Sequence, residues 1–142
     1  MEQALAEKVI PIRNWIGDVE KELRDRGSAP KLPLNTLPLF NNKVWGLRPK
    51  TLLTIGSRTS QGKTALSLQV AFDLADSGHS VLYLSLEDDV EFLIERLFCN
   101  VMRVNNADLM RGAINTDIEI QTKWKTFSDM VQKLPLLITC GV

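Results

Sequence analysis

Gly56-Ser57-Arg58-Thr59-Ser60-Gln61-Gly62-Lys63-Thr64 is the stretch on which the fold of this chain turns. Immediately upstream, residues 51–55 (Thr-Leu-Leu-Thr-Ile) are short, β-branched and apolar, as a buried strand should be. Downstream, residues 63–77 carry Ala65, Leu66, Leu68, Ala71, Leu74 and Ala75 at helical spacing and end before Gly78. Strand, glycine-bearing loop and helix, in that order, form the setting in which Gly-Lys-Thr binds phosphate. Gly62 lets the backbone approach an anion, and the amides of the loop and first helical turn favour negative charge. Lys63 would reach the β- and γ-phosphates, and the Thr64 hydroxyl would ligate Mg²⁺. The competing reading is a surface turn in which the tripeptide arose by chance. Against it, a lysine in a first helical turn opposes the helix dipole by about 0.3–1 kcal/mol unless an anion is present. The loop departs from the general phosphate-loop (Walker A) pattern once: Ser57 stands where the first glycine belongs, and Gly56 precedes it.

Working outward, residues 80–86 read as a second strand. Asp88 and Glu91 give an Asp-x-x-Glu helix start, a variant of the capping box. The helix that follows carries Val90, Leu93, Ile94, Leu97, Phe98, Val101 and Met102 in one apolar stripe, read as core packing against the sheet. A further helix is expected over about residues 117–133, and a third strand over 136–139. Strands alternating with helices at this spacing imply βαβ units with right-handed crossovers. At the other end, Leu5, Val9, Ile12, Ile16, Val19 and Leu23 predict a helix within residues 1–26, kinked or split at Pro11 and stopped at Gly27. Pro30, Pro33 and Pro38 make residues 28–38 read as an extended linker. The expected organisation is a helical segment (1–27), a linker (28–38) and an α/β domain (39–142).

Composition narrows the function classes. The chain has 142 residues, 17 Lys+Arg against 17 Asp+Glu, 44% hydrophobic and 24% charged residues. These are globular values, and zero net charge excludes a basic tail for nucleic acid or a polybasic membrane anchor as the main device. No apolar run approaches the roughly 18–20 residues that span a bilayer, and the N-terminus lacks a signal-peptide core. Cys99 and Cys140 are too few and too far apart to suggest a disulfide framework or a zinc site. A cytoplasmic protein is expected.

Beyond the phosphate loop, the residues Gly46-Leu47-Arg48-Pro49, Leu52, Ile55, Gly56-Ser57-Arg58 and Ser60-Gln61-Gly62-Lys63-Thr64 resemble the ATPase domain of DnaB-type replicative DNA helicases. Those proteins belong to the RecA-like group of hexameric motors, whose motif commonly has an Arg after a small residue and a Ser before the Gly-Lys-Thr. Leu82-Tyr83-Leu84-Ser85-Leu86-Glu87 is similar to the strand of that family that ends in Ser-Leu-Glu. Arg96 falls where the family often has an Arg on the next helix. The resemblance covers residues 39–141.

The resemblance implies the front part of an α/β P-loop NTPase, a RecA-like parallel sheet with flanking helices, preceded by an N-terminal helix. ATP and Mg²⁺ would be its cofactors. Gly56, Ser57, Arg58, Ser60, Gln61, Gly62, Lys63, Thr64 and Ala65 would surround the nucleotide, with Thr64 on the metal. Glu87 would be the catalytic carboxylate that orients and deprotonates the attacking water. Its place at the carboxyl end of a strand is where α/β sheets hold ligands. The alternative is that Glu87, Asp88 and Asp89 form only an acidic helix start. Arg58 either touches a phosphate or covers the loop; Arg96 reads as structural or interfacial, and His79 as a solvated loop residue.

As partners the resemblance implies ATP and further copies of the chain in a hexameric ring, with no membrane. DNA would be met only through regions outside this chain. Residues 136–139 end without an acid, so the second nucleotide motif, the DNA-binding loops and the arginine finger are expected to lie elsewhere. An unpaired sheet edge and uncovered apolar faces are expected in consequence. Residues 1–38 do not match the family's usual N-terminal domain and read instead as a linker helix that docks on a neighbouring subunit. ATP binding, with hydrolysis at best weak, by a truncated DnaB-like domain acting in DNA replication is the leading expectation. The alternatives are a RepA-like or KaiC/RecA-like ATPase with a different task, and a non-enzymatic nucleotide-binding remnant that docks on a helicase subunit.

Overall fold

A computed structural model describes residues 11–25, 32–44 and 46–141. The chain divides into two units, residues 1–31 and 32–142. In the first, Pro11 caps a short 3₁₀ turn, Ile12–Asn14, and helix α1 spans Ile16–Asp25. Among the described residues, helical structure begins directly after Pro11, whose fixed φ suits a helix entry and not an interior. Ile12, Trp15, Ile16, Val19 and Leu23 form an exposed apolar stripe on this segment, and Glu20 and Arg24 pair one turn apart at 2.6 Å. Leu5, Val9, Gly27 and Pro30 lie outside the described residues.

The second unit begins with an isolated antiparallel bridge between Leu32 and Leu47. Helix α2 (Pro38–Val44) starts on a proline, which fits a first helical position because its missing N–H is not needed there. Residues 32–38, within the stretch expected to be extended linker, are fastened to the domain. Leu34 is fully buried, and Asp73 accepts hydrogen bonds from the Thr36 amide (3.1 Å) and hydroxyl (2.6 Å).

Helix α3 (Lys63–Asp76) leads through a tight turn to strand β1 (Val81–Ser85), then helix α4 (Val90–Met102). Gly78, at φ +85°, closes α3: its amide donates to the Ala75 carbonyl and that of His79 to Leu74. Two short elements that periodicity does not predict follow, helix α5 (Asn106–Met110) and a 3₁₀ turn, Ala113–Asn115. Helix α6 (Ile118–Val131) is capped by Asp117, whose carboxylate accepts from the Glu119 and Ile120 amides. Strand β2 (Leu136–Cys140) completes the described elements.

β1 and β2 pair in parallel, Val81 opposite Leu136 and Ser85 opposite Cys140. One face of this sheet (Tyr83, Leu136, Ile138, Cys140) packs on a core of Leu68 and Phe72 from α3, Leu93, Leu97 and Phe98 from α4, and Ile120 and Phe127 from α6. The apolar stripe of α4 is therefore core, as its spacing predicts. Phe98 meets Trp124 and Phe127 edge-on at 5.0 and 5.4 Å between ring centres, a preferred aromatic geometry. Leu82, Leu84 and Leu137 alternate onto the opposite face, where they are exposed.

The strand expected at 51–55 does not form. Residues 51–58 have no regular structure, and Leu52 is 94% exposed. A β-prone run becomes a strand only by pairing, and residues 51–55 pair with neither described strand. The described sheet is thus two-stranded, not three-stranded.

Candidate functional site

The loop over residues 56–62 is exposed and ends on Gly62, the N-cap of α3. Gly62 sits at φ +84°, a left-handed conformation that glycine adopts without penalty, and an added Cβ would meet nothing within 4 Å. Glycine is thus required here by the backbone angle and not by crowding. Ser60, at φ +62°, also occupies the left-handed region, which costs a non-glycine residue about 1–3 kcal/mol. Such strain collects where a loop must present its backbone to a ligand.

The start of α3 is electrostatically unlike an ordinary helix start. No side chain caps it, its first turn contains no acid, and its first residue is Lys63. Helices α1, α4, α5 and α6 each carry an acid in the first turn, and α2, which has none, starts on Pro38 and not on a cation. The first-turn amides of α3 and the Lys63 ammonium together make a concentration of positive charge. Among the described residues, Lys63 and Arg58 pair with no carboxylate. The Ser57 hydroxyl donates to the Arg58 carbonyl at 3.2 Å. Thr64 and Ala65 are half-buried in the first turn, whereas Gly56, Ser57, Ser60, Gln61 and Lys63 are exposed.

A polar link fixes the direction of α3 against the sheet. Ser67 Oγ and the Tyr83 hydroxyl lie 2.9 Å apart, and Ser67 Oγ donates to the Thr64 carbonyl at 3.0 Å. From this crossing point Lys63 lies about 6 Å back along the helix axis, at about 1.5 Å per residue. Ser85 lies about 7 Å onward along the strand, at about 3.3 Å per residue. Because α3 runs antiparallel to β1, both excursions go the same way. The Gly62-Lys63-Thr64 corner and the residues after Ser85 therefore both lie towards the carboxyl end of β1, and Glu87 is exposed.

The turn that carries Glu87 is built differently from the Asp-x-x-Glu capping box expected of Asp88 and Glu91. The N-cap of α4 is Asp89, whose side chain makes no capping bond, and the Asp88 amide donates to Ser85 Oγ at 3.0 Å. The helix still starts within a residue of the expected place, since acids near a first turn complement the dipole without a direct bond. Arg96 lies over the Phe92 ring of its own helix, 4.4 Å from its centre. His79 is half-buried, and its backbone closes the α3 cap. Burial, with Glu95 adding to it, raises the Cys99 thiol above its ordinary value, which disfavours the reactive thiolate. No group of metal-ligating side chains is found among the described residues, and no described helix is long and apolar enough to cross a membrane.

A hollow of about 340 Å³ lies away from this edge, lined by Thr36, Leu37, Gln69 and Phe72 with Asn100, Val101 and Arg103 at the far end of α4. The loop itself is an open corner, as a site that takes its ligand on backbone amides can be.

Residues 35–141 match the family described as the DnaB-like helicase C terminal domain. The replicative DNA helicase DnaB of Buchnera aphidicola subsp. Baizongia pistaciae is 35% identical over 79 residues, covering 55% of this chain and 17% of that protein. The replicative DNA helicase DnaB of a Nostoc species is 29% identical over 124 residues, 84% of this chain and 13% of that protein. The chain therefore corresponds to a small part of the curated relatives it matches. Among solved structures, an ATPase domain superposes with a TM-score of 0.79 at 19% identity, covering 94% of this chain and 47% of that one. At that identity the likeness establishes the fold, a RecA-like α/β arrangement.

Proposed function

This chain belongs to the DnaB-like helicase C-terminal domain family, and from that premise we propose that it binds ATP with Mg²⁺ at the loop of residues 56–64 and that Glu87 activates water there. The observation that supports the reading best is the Ser67–Tyr83 contact at 2.9 Å, which ties the first turns of α3 to β1, the strand that leads into Glu87. The residues present fit such a ligand: a helix start with no acid and no side-chain cap, a Lys63 without a carboxylate partner among the described residues, and a hydroxyl at Thr64 in the same turn.

In this reading the first-turn amides and Gly62 hold the phosphates, and Ser57, Ser60, Gln61 and Ala65 shape the cradle. Lys63 neutralises charge on the β- and γ-phosphate oxygens, and Arg58 adds a second cation at the rim. Thr64 Oγ would hold the metal, and bound Mg²⁺ would supply Lewis-acid charge to the phosphates. The Glu87 carboxylate accepts a proton from water and fixes its direction. Further copies of the chain are its natural partners, supported by the exposed apolar stripe of Trp15, Ile16, Val19 and Leu23 on α1. DNA is met through segments other than this one, in keeping with zero net charge and with a cytoplasmic role in replication.

A titration with Mg²⁺-ATP tests the reading. The folded wild-type chain is expected to bind, and Lys63→Ala to weaken affinity at least about tenfold, or about 1.4 kcal/mol. Glu87→Gln is expected to keep binding and to slow single-turnover hydrolysis about 100-fold. Folded protein that ignores ATP would sink the phosphate-loop assignment; wild-type turnover in Glu87→Gln would remove Glu87 from its role.

A further inference from the structure

Only two polar side chains are buried among the described residues, Asp73 and Ser85. Asp73 is accounted for by its bonds to Thr36, which fasten residues 34–36 onto α3. Ser85 raises a separate question. It is the last residue of β1, it is 8% exposed, and it faces the helices where an apolar side chain would pack as well.

Its hydroxyl is used twice, both times on the same residue. Ser85 Oγ donates to the Asp88 carbonyl at 2.8 Å and accepts from the Asp88 amide at 3.0 Å. The Ser85 carbonyl is in turn held from the neighbouring strand, by the Gly141 amide at 3.1 Å. The two residues inside this closed turn are Leu86 and Glu87. Leu86 is 79% exposed and Glu87 is also exposed, so packing does not hold the turn. The Asp89 side chain makes no capping bond that could hold it from the α4 side. The Ser85 hydroxyl is what remains.

We infer that Ser85 is a positioning residue for Glu87: by clasping both backbone groups of Asp88, it fixes the turn that presents the Glu87 carboxylate at the phosphate edge. It touches no substrate and acts through the backbone on either side of Glu87. The inference rests on the role proposed for Glu87. Ser85 lies on the strand and Lys63 on the loop-helix corner, so loss of the clasp moves the carboxylate and leaves the phosphate cradle unchanged. A misplaced base loses rate, because proton transfer needs hydrogen-bond reach to the water.

The test measures Mg²⁺-ATP affinity, single-turnover hydrolysis and thermal midpoint on the full chain and on Ser85→Ala, Ser85→Thr, Glu87→Gln and Lys63→Ala. Ser85→Ala is expected to slow turnover at least tenfold with affinity changed less than twofold. Ser85→Thr, which keeps the hydroxyl, is expected to recover to within threefold of wild type. A Ser85→Ala chain that turns over normally while Glu87→Gln is slow overturns the Ser85 assignment alone. So does Ser85→Thr failing as Ser85→Ala does, or affinity and rate falling together with the thermal midpoint. If Glu87→Gln is as fast as wild type, or the wild type does not turn over, the role of Glu87 fails and the Ser85 inference falls with it. Unchanged affinity in Lys63→Ala counts against the phosphate loop and leaves the clasp to be judged on turnover.

Discussion

Residues 51–55 (Thr-Leu-Leu-Thr-Ile) and β2 (Leu-Leu-Ile-Thr-Cys) are nearly the same piece of chemistry: apolar, β-branched and five residues long. One is irregular and exposed over its first four residues, and the other is a parallel strand with alternate residues against the core. Composition cannot account for the difference. β2 has β1 in register beside it and α3 and α4 over one face. Residues 51–55 pair with neither described strand, and residues 51–54 are exposed. Strand propensity is a capacity to fit a pleated, half-buried surface, and it is expressed only where that surface exists.

The comparison breaks most readily at the cover over β2. Phe98 is fully buried and stacks edge-on against Trp124 and Phe127 beneath the sheet. Phe98→Ala should cost about 3–5 kcal/mol, read as a lower urea midpoint at unchanged slope. If β2 owed its structure to its own sequence, its amides would remain protected from hydrogen exchange in that variant. Loss of protection at β2, towards the level of residues 51–55, is the expected result.

A smaller effect sharpens the contrast from the opposite side. Residues 34–36 have no strand pattern, yet they are fixed, because Leu34 is buried and Thr36 gives two hydrogen bonds to Asp73. Removing the acceptor in Asp73→Ala strands the Thr36 amide and hydroxyl and should cost about 2–3 kcal/mol by urea denaturation. Asp73→Asn keeps one acceptor oxygen and should lose less than half of that. Equal losses would mean that Asp73 matters for its volume and not for its bonds.

What was legible in the sequence was local. Helical spacing and Gly78 bound α3, Asp117 marks the start of α6, and short apolar runs find β1 and β2. Pro38 as a first helical residue and Asn105 as the cap of α5 are signals that periodicity alone passes over. The loop, Lys63 and Glu87 are identifiable as a candidate site without coordinates, since residue type and order suffice for that. That the Lys63 end of α3 and the turn after β1 lie towards the same end of the sheet is not legible, because it depends on Ser67 touching Tyr83, 16 residues away. The anchor between Thr36 and Asp73 spans 37 residues and leaves no mark on periodicity. Ser85 falls within a strand pattern, but its work on Asp88 is a property of the turn geometry.

The smallest expected effect isolates the two apolar runs themselves. Leu52 is 94% exposed, so Leu52→Ser removes no packing and should change stability by less than about 0.5 kcal/mol. Ile138, half-buried in the middle of β2 against the core, should cost about 2 kcal/mol on truncation to alanine. Measured together by urea denaturation, the pair asks whether exposure or sequence sets the cost. A loss of about 2 kcal/mol for Leu52→Ser would mean that residues 51–55 are packed in solution, and the distinction from β2 would go. If the small value holds, the same substitution should still raise solubility, because an exposed apolar run favours association. Stability unchanged and solubility raised is the combination that only an unpaired run produces.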